Sequence, residues 1–123
     1  PKLELKKLKH FLLSKLFSEE TYPFGPETLV LKVMGKIFAL VGLNEKPLTL
    51  SLKCDPDDAQ IQRQIYNEIS AGYHLNKEHW NTVVLSNALE DDLIFQLIDD
   101  SYKLVVKGLR KKDQERLKLQ SLA

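Results

Sequence analysis

The segment Leu48–Lys53 constrains the fold more than any other stretch of the chain. Its side chains alternate strictly between apolar and polar, which is typical of a strand buried on one side only. Asp55-Pro56-Asp57-Asp58 follows almost at once. It combines an N-cap acid, a proline at the first helical position and acids where the helix dipole favours them. We therefore expect a one-sided sheet strand that leads into a helix over 56–68, with the acids acting as caps and not as a cation site.

A β-hairpin is predicted just before this strand. The segments 29–33 and 36–41 are rich in strand-forming residues and flank Met34-Gly35, where glycine suits the positive φ of a two-residue turn. Such a turn pairs Val33 with Lys36 and sends Lys32 to the face opposite the core. On this register we expect four side chains on the core side: Leu29, Leu31, Phe38 and Leu40.

The remaining elements complete a small α+β protein. A first helix is expected over 3–17, with Lys2, Lys6 and Lys9 on its outer face, and a last long helix from about Leu89 to Gly108. Ser18–Thr28 is expected to be a structured loop, and 69–73 and 80–85 to be extended. The predicted fold is a single antiparallel sheet covered on one face by helices. Residues 1–109 form the predicted domain, and 110–123 a basic tail that is either a frayed helix or mobile.

Composition excludes several classes of protein. The longest apolar run, Ile37–Val41, is far too short to cross a bilayer, and the opening residues lack a signal-peptide pattern. The single cysteine, Cys54, rules out an internal disulfide and fits a reducing compartment, so we expect a cytoplasmic protein without a membrane partner. With a net charge of +1 and a pI near 8.3, any role in binding DNA depends on local clusters of lysine.

The stretch Gly72–Leu85 contains the only tryptophan and two of the three histidines. His74 and His79 are five residues apart, which matches neither the helical spacing of a zinc protease nor a structural zinc pattern. The carboxylate of Asp55 beside Cys54 opposes formation of a nucleophilic thiolate. No serine-hydrolase or phosphate-loop pattern is present. We therefore expect no enzymatic activity, no metal site and no cofactor.

Five segments of the chain, taken together and in order, resemble one family. They are 21–29 with Tyr22-Pro23-Phe24-Gly25-Pro26, 35–40, 52–56, 72–85 and 97–102. The chain resembles the MmcQ/YjbR family of small bacterial proteins along nearly its whole length, with Met34 departing from the glycine expected there. The resemblance implies a CyaY-like fold with a double-wing DNA-binding motif. Structural roles are expected for Phe24, Gly25, Pro26 and Trp80. The lysine-rich first helix lacks the acidic ridge of the iron-handling frataxins, so no iron site is expected.

Two interpretations of the polar residues remain open. In the structural one, Trp80 is buried against the helices while His74, Asn76 and Asn81 bond to backbone in an irregular turn. In the functional one, donor side chains contact the phosphates of DNA. The candidates for those contacts are Lys32, Lys36, Lys53, His74, Asn76, Lys77, His79 and Asn81. We expect a small non-enzymatic DNA-binding protein, with a protein-interaction module as the alternative. One contiguous basic face favours DNA, whereas lysines scattered around an apolar patch favour a protein partner.

Overall fold

The computed structural model describes residues 3–122, which form one six-stranded antiparallel sheet and four helices. The elements in chain order are α1 (Leu5–Leu13), β1 (Ser18–Thr21), β2 (Thr28–Val33), β3 (Lys36–Gly42), β4 (Thr49–Lys53), α2 (Pro56–Ile65), β5 (Ile69–Ala71), β6 (Trp80–Val84), α3 (Asp91–Lys107) and α4 (Lys111–Ser121). The strands lie in the order β1-β2-β3-β4-β6-β5. None of the helices in this part of the chain is long and apolar enough to cross a bilayer.

The core lies between one face of the sheet and the helices, which confirms the predicted α+β class. Helix α3 packs across β2, β3 and β4, α1 packs on β1, and α2 packs on β5. The alternating strand β4 buries Leu50 and Leu52 on this side, as expected. Leu8 and Leu12 of α1 and Ile98 of α3 are fully buried against the sheet. The opposite side of the sheet, which the helices do not cover, is called the open face below.

The hairpin between β2 and β3 has the predicted turn but not the predicted register. Met34 and Gly35 have φ values of 50° and 82°, and a two-residue turn with two positive φ values matches the twist of the strands. Val33 pairs with Lys36 as expected, but Leu31 pairs with Ala39, so Phe38 is an extra residue in a β-bulge. Because one inserted residue reverses every later side chain, Leu40 lies on the open face. Its predicted place in the core was wrong.

Helix α3 holds the bulge in place. The hydroxyl of the buried Ser101 donates to the carbonyl of Phe38 at 2.7 Å and accepts from the N–H of Lys53 at 2.9 Å. The rings of Phe38 and Tyr102 meet edge to face, with centroids 5.2 Å apart. One buried serine therefore connects the helix to both central strands and satisfies two backbone groups that the bulge and the end of β4 leave without ladder partners.

Helix α2 begins as predicted. The Asp55 carboxylate accepts hydrogen bonds from the N–H groups of Asp57 and Asp58, both at 3.2 Å, and Pro56 occupies the first turn. The helix ends at Ile65, three residues before the predicted end, because Tyr66 is extended with φ −115° and ψ 118°.

The two ends of the chain differ from the prediction. Ser18–Thr21 is not a loop but the edge strand β1, paired with β2. The chain enters it through Phe17, which has a φ of 58°. Of the two states left open for the tail, residues 111–121 adopt a helix, α4, and its Leu117 is buried in the core. Lys2 and Ala123 lie outside the described residues.

Candidate nucleic-acid interface

The open face carries a mixture of hydroxyl, apolar and lysine side chains. Residues directly opposite each other in an antiparallel pair lie on the same face, so the pairing of the strands identifies them. They are Thr28, Val30 and Lys32 on β2, Ile37 and Leu40 on β3, Thr49, Ser51 and Lys53 on β4, and Trp80, Thr82 and Val84 on β6.

Four of the predicted DNA-contacting lysines lie at one end of the sheet. Lys32 precedes the last residue of β2, Lys36 begins β3, Lys53 ends β4, and Lys77 lies in the loop that enters β6. Since neighbouring strands are antiparallel, these four positions share the same end. Among residues 3–122, the side chains of Lys32, Lys36 and Lys53 form no ion pair, although Glu19 lies across from Lys32 on the edge strand.

The loop 72–79 between β5 and β6 folds back over the open face. The N–H of Tyr73 donates to the Thr82 hydroxyl at 3.2 Å, and His74 reverses the chain with a φ of 59°. Gly72 is required there, because a Cβ at this position would lie 2.8 Å from the Cβ of Trp80. This loop, which the sequence singled out, therefore forms one wall above the sheet.

Backbone bonding inside the loop matches the structural interpretation for Asn76. Its side-chain oxygen accepts from the N–H groups of Glu78 and His79 at 2.9 and 3.3 Å. The ammonium group of Lys77 donates to the carbonyl of Gly72 at 3.0 Å, so it is partly engaged within the protein. His74 instead stacks on Tyr73, with ring centroids 3.9 Å apart. Of the loop candidates, His74, Asn76 and Lys77 are exposed and His79 is half-buried.

Arg63 of α2 fastens this loop to the helix layer, a role that the sequence did not indicate. Its Nε donates to the side-chain oxygen of Asn81 at 2.7 Å, and its terminal nitrogen donates to the carbonyls of Lys77 and Trp80. No local pattern marks this residue, because its partners lie 14 to 18 positions away in the chain. A guanidinium group suits the site because its donors point in several fixed directions.

On β6 the structure contradicts Asn81 as a DNA contact and Trp80 as a residue buried against the helices. Asn81 faces the helices, is 2% exposed, and donates to the Ala59 carbonyl and the Gln62 side chain. Its amide is consumed by these bonds and by Arg63, so Asn81 is not available to DNA. Trp80 was expected against the helices, but it is paired with Lys53 on the open face and is only half-buried. The alternation that buries Asn81 also buries Val83 and Leu85, and it places Trp80 and Thr82 together on the open face.

The second wall of the open face is the loop 22–27 between β1 and β2. Two consecutive turns form it, since the N–H of Gly25 bonds to Tyr22 and that of Thr28 bonds to Gly25. Gly25 has a φ of 104°, which glycine alone adopts readily. Phe24 was expected to be structural, but its side chain is 67% exposed and borders the open face. Pro26 is exposed as well.

Between these two loops lies a groove of about 690 Å³. Its floor is formed by the open-face residues Thr28, Leu40, Thr49, Ser51 and Thr82, and its rim by Phe24, Glu45, Tyr73, His74 and Leu75. The hydroxyls of Ser51 and Thr82 are 2.8 Å apart. This volume lies in the range of sites that hold a small ligand or one group of a larger one.

The lysines in and just after the first helix provide a rival basic surface, but acids pair with three of them. Lys9 lies 2.8 Å from the Glu20 carboxylate, Lys7 lies 3.1 Å from Asp91, and Lys15 pairs with Asp99. The hydrogen bond to Lys9, reinforced by one from Tyr22, lowers the pKa of Glu20. The charges of Lys7, Lys9 and Lys15 are therefore offset locally, whereas Lys6 forms no ion pair among residues 3–122.

The single cysteine, Cys54, is held mainly in its protonated form. Burial, followed by the charges of Asp58 and Asp55, raises the pKa of the Cys54 thiol to about 11, so the thiolate form is scarce at neutral pH. Within residues 3–122, no three His, Cys, Asp or Glu side chains are gathered closely enough to hold a metal ion.

This arrangement defines an α+β protein with one uncovered sheet face between two loops. A family model described as YjbR matches residues 13–104, and the chain belongs to the YjbR family. The chain is 42% identical over 110 residues to the uncharacterized protein YbdF of Escherichia coli O157:H7, covering 89% of this chain and 90% of that protein. It is 30% identical over 115 residues to the uncharacterized protein YjbR of Escherichia coli K12, covering 94% and 98%.

Solved structures share the fold. The crystal structure of Deinococcus radiodurans protein DR2400 superposes with a TM-score of 0.87 at 39% identity, covering 95% of this chain and 89% of that one. A Pseudomonas syringae protein superposes with a TM-score of 0.72 at 27% identity, covering 83% and 98%. The family inferred from the five sequence segments is thus confirmed.

Proposed function

We propose that this protein binds DNA in the cytoplasm, without catalysing a reaction on it, through the lysine end of its open face. The observation that supports the proposal is the placement of Lys32, Lys53 and Lys77 at one end of the open face, none of them in an ion pair among residues 3–122. Lys36 lies at the same end but on the helix side, because it pairs with the core residue Val33. Lysines are effective contacts for phosphate because each carries a compact charge on a flexible stem. Such contacts position a protein on DNA without reading its sequence.

The expected binding is weak and depends steeply on salt. Each phosphate contact on duplex DNA contributes about 0.9 to the slope of log K against log salt, so three lysines give a slope of about −2.7. Fluorescence anisotropy with a labelled duplex at several salt concentrations measures this slope. Lys53→Ala removes about 0.9 from its magnitude, and Lys36→Glu weakens binding more than Lys36→Ala because it replaces attraction by repulsion.

The matched control is Lys103→Ala, because Lys103 is an exposed lysine of α3 on the helix layer. It leaves both affinity and slope unchanged if the open face is the interface. Absence of binding at tens of micromolar protein in low salt would contradict the proposal, as would a larger loss for Lys103→Ala than for Lys53→Ala.

A protein partner is the second candidate, and one observation favours it. Ile61 and Ile65 of α2 are 52% and 63% exposed and lie four residues apart on one side of the helix. An exposed pair of this kind is suited to a hydrophobic contact. Replacing both by Glu removes such an association, as measured by the oligomeric state or by partner binding, and leaves DNA binding unchanged.

A further inference from the structure

Exposed aromatic rings stand on both sides of the groove on the open face. Phe24 is 67% exposed at one wall, and Tyr73 is 73% exposed at the other. Each is adjacent to a residue with positive φ, Gly25 at 104° and His74 at 59°, which fixes the course of the loop that presents it. A single exposed aromatic residue is ordinary. Two that border the same groove form a pair of surfaces on which a flat ligand can stack.

The floor between these rings offers hydrogen bonds and little charge. The Ser51 and Thr82 hydroxyls, 2.8 Å apart, lie beside the apolar Leu40. Among residues 3–122, Glu45 is the one carboxylate that lines the groove. A carboxylate repels phosphate but accepts hydrogen bonds from the amino group of a base. The groove therefore suits a base far better than it suits a phosphate.

Phosphate is accommodated at the adjoining lysine end. Lys53 follows Ser51 by two residues on the same face of β4, a separation of about 7 Å along the strand. A nucleotide placed over β4 would therefore hold its phosphate near Lys53 while its base enters the groove. The surface is cationic at Lys53 and nearly uncharged in the groove. This arrangement matches a nucleotide, whose phosphate is anionic and whose base is neutral.

We infer that the groove takes an unpaired base of single-stranded DNA, stacked against Tyr73 or Phe24, with the phosphate at Lys53. This inference rests on the proposed binding of DNA and names the form of DNA that is bound. A duplex cannot satisfy both parts of the site, because its bases are stacked inside the helix and only its backbone reaches the lysines. Stacking on aromatic side chains is largely indifferent to sequence, since every base has a flat face.

The test compares one labelled oligonucleotide as a single strand and as a duplex, by anisotropy in 50 mM salt. We expect the single strand to bind at least about tenfold more tightly. Tyr73→Ala and Phe24→Ala each weaken single-strand binding at least about fivefold and change duplex binding less than about twofold. Phe17→Ala is the matched control, because Phe17 is a partly exposed aromatic residue outside the groove. Thermal melting monitored by circular dichroism verifies that each variant is folded.

The outcomes separate this inference from the function on which it rests. Absence of binding to either form contradicts the proposed function and the inference with it. A second outcome is equal binding of both forms, with the affinity unchanged by Tyr73→Ala and Phe24→Ala and lowered by Lys53→Ala. This result overturns the inference and leaves the proposed function standing. A preference for the single strand that disappears in the aromatic variants and persists in Phe17→Ala supports both.

Discussion

Replacing Ser101 by alanine tests the connection between helix α3 and the sheet. The side chain is fully buried, and its hydroxyl serves both the Phe38 carbonyl and the Lys53 N–H. Alanine leaves these two backbone groups without a partner in a site closed to water. Each buried unsatisfied group costs about 1–3 kcal/mol, and a carbonyl costs less than an N–H. We therefore expect a loss of about 2–4 kcal/mol in the free energy of unfolding.

Urea denaturation followed by circular dichroism measures this loss directly. Ser70→Ala is the control, because Ser70 is exposed on β5 and makes the same chemical change at the surface, where the expected effect is within about 0.5 kcal/mol. The Ser101→Ala variant should also melt roughly 8–15 °C lower than the parent protein. A Ser101→Ala variant as stable as Ser70→Ala would refute the assignment of these two hydrogen bonds.

Three further predictions concern the loop and the single cysteine. Arg63→Ala loses one hydrogen bond to the β5–β6 loop and two to β6, and it lowers the free energy of unfolding by about 2 kcal/mol. Full stability of Arg63→Lys would contradict the need for the several fixed donors of a guanidinium group. Trp80→Ala costs about 1–2 kcal/mol, below the range for a fully buried tryptophan, and a larger loss in urea denaturation would show that the indole belongs to the core. Because the pKa of the Cys54 thiol is about 11, iodoacetamide reacts slowly at pH 8 and about tenfold faster per pH unit up to that value; a plateau near pH 9 would disprove the shift.

Local signals predicted most of the elements. The cap at Asp55, the alternation in β4 and the turn at Met34-Gly35 each depend on neighbours within a few residues, and all three form as expected. The edge strand β1 was missed because Ser18–Thr21 is polar and lacks the alternation of a half-buried strand. Its pairing with β2 is a tertiary contact that its own sequence does not encode.

The register of the strands and the anchoring of the β5–β6 loop could not be predicted from the sequence pattern. The strand β6 has two alternating sets, and hydrophobicity alone sends Trp80 rather than Asn81 to the core. The actual choice depends on Ala59, Gln62 and Arg63 in α2, which satisfy the buried amide. The bulge at Phe38 likewise depends on a serine more than sixty residues away. The four candidate lysines were named from the sequence, but their placement at one end of the sheet follows only from the strand order.

Mapping the bound surface by NMR tests the central claim most directly. Protein labelled with ¹⁵N is titrated with a short unlabelled single-stranded oligonucleotide in low salt, and amide and indole shifts are followed. We expect the largest changes at Lys53, Tyr73, Thr82 and the indole N–H of Trp80, all of which lie on the open face or its rim. Changes confined to the exposed side of α3 and α4, around Lys103, would contradict the claim that DNA binds the uncovered face of the sheet.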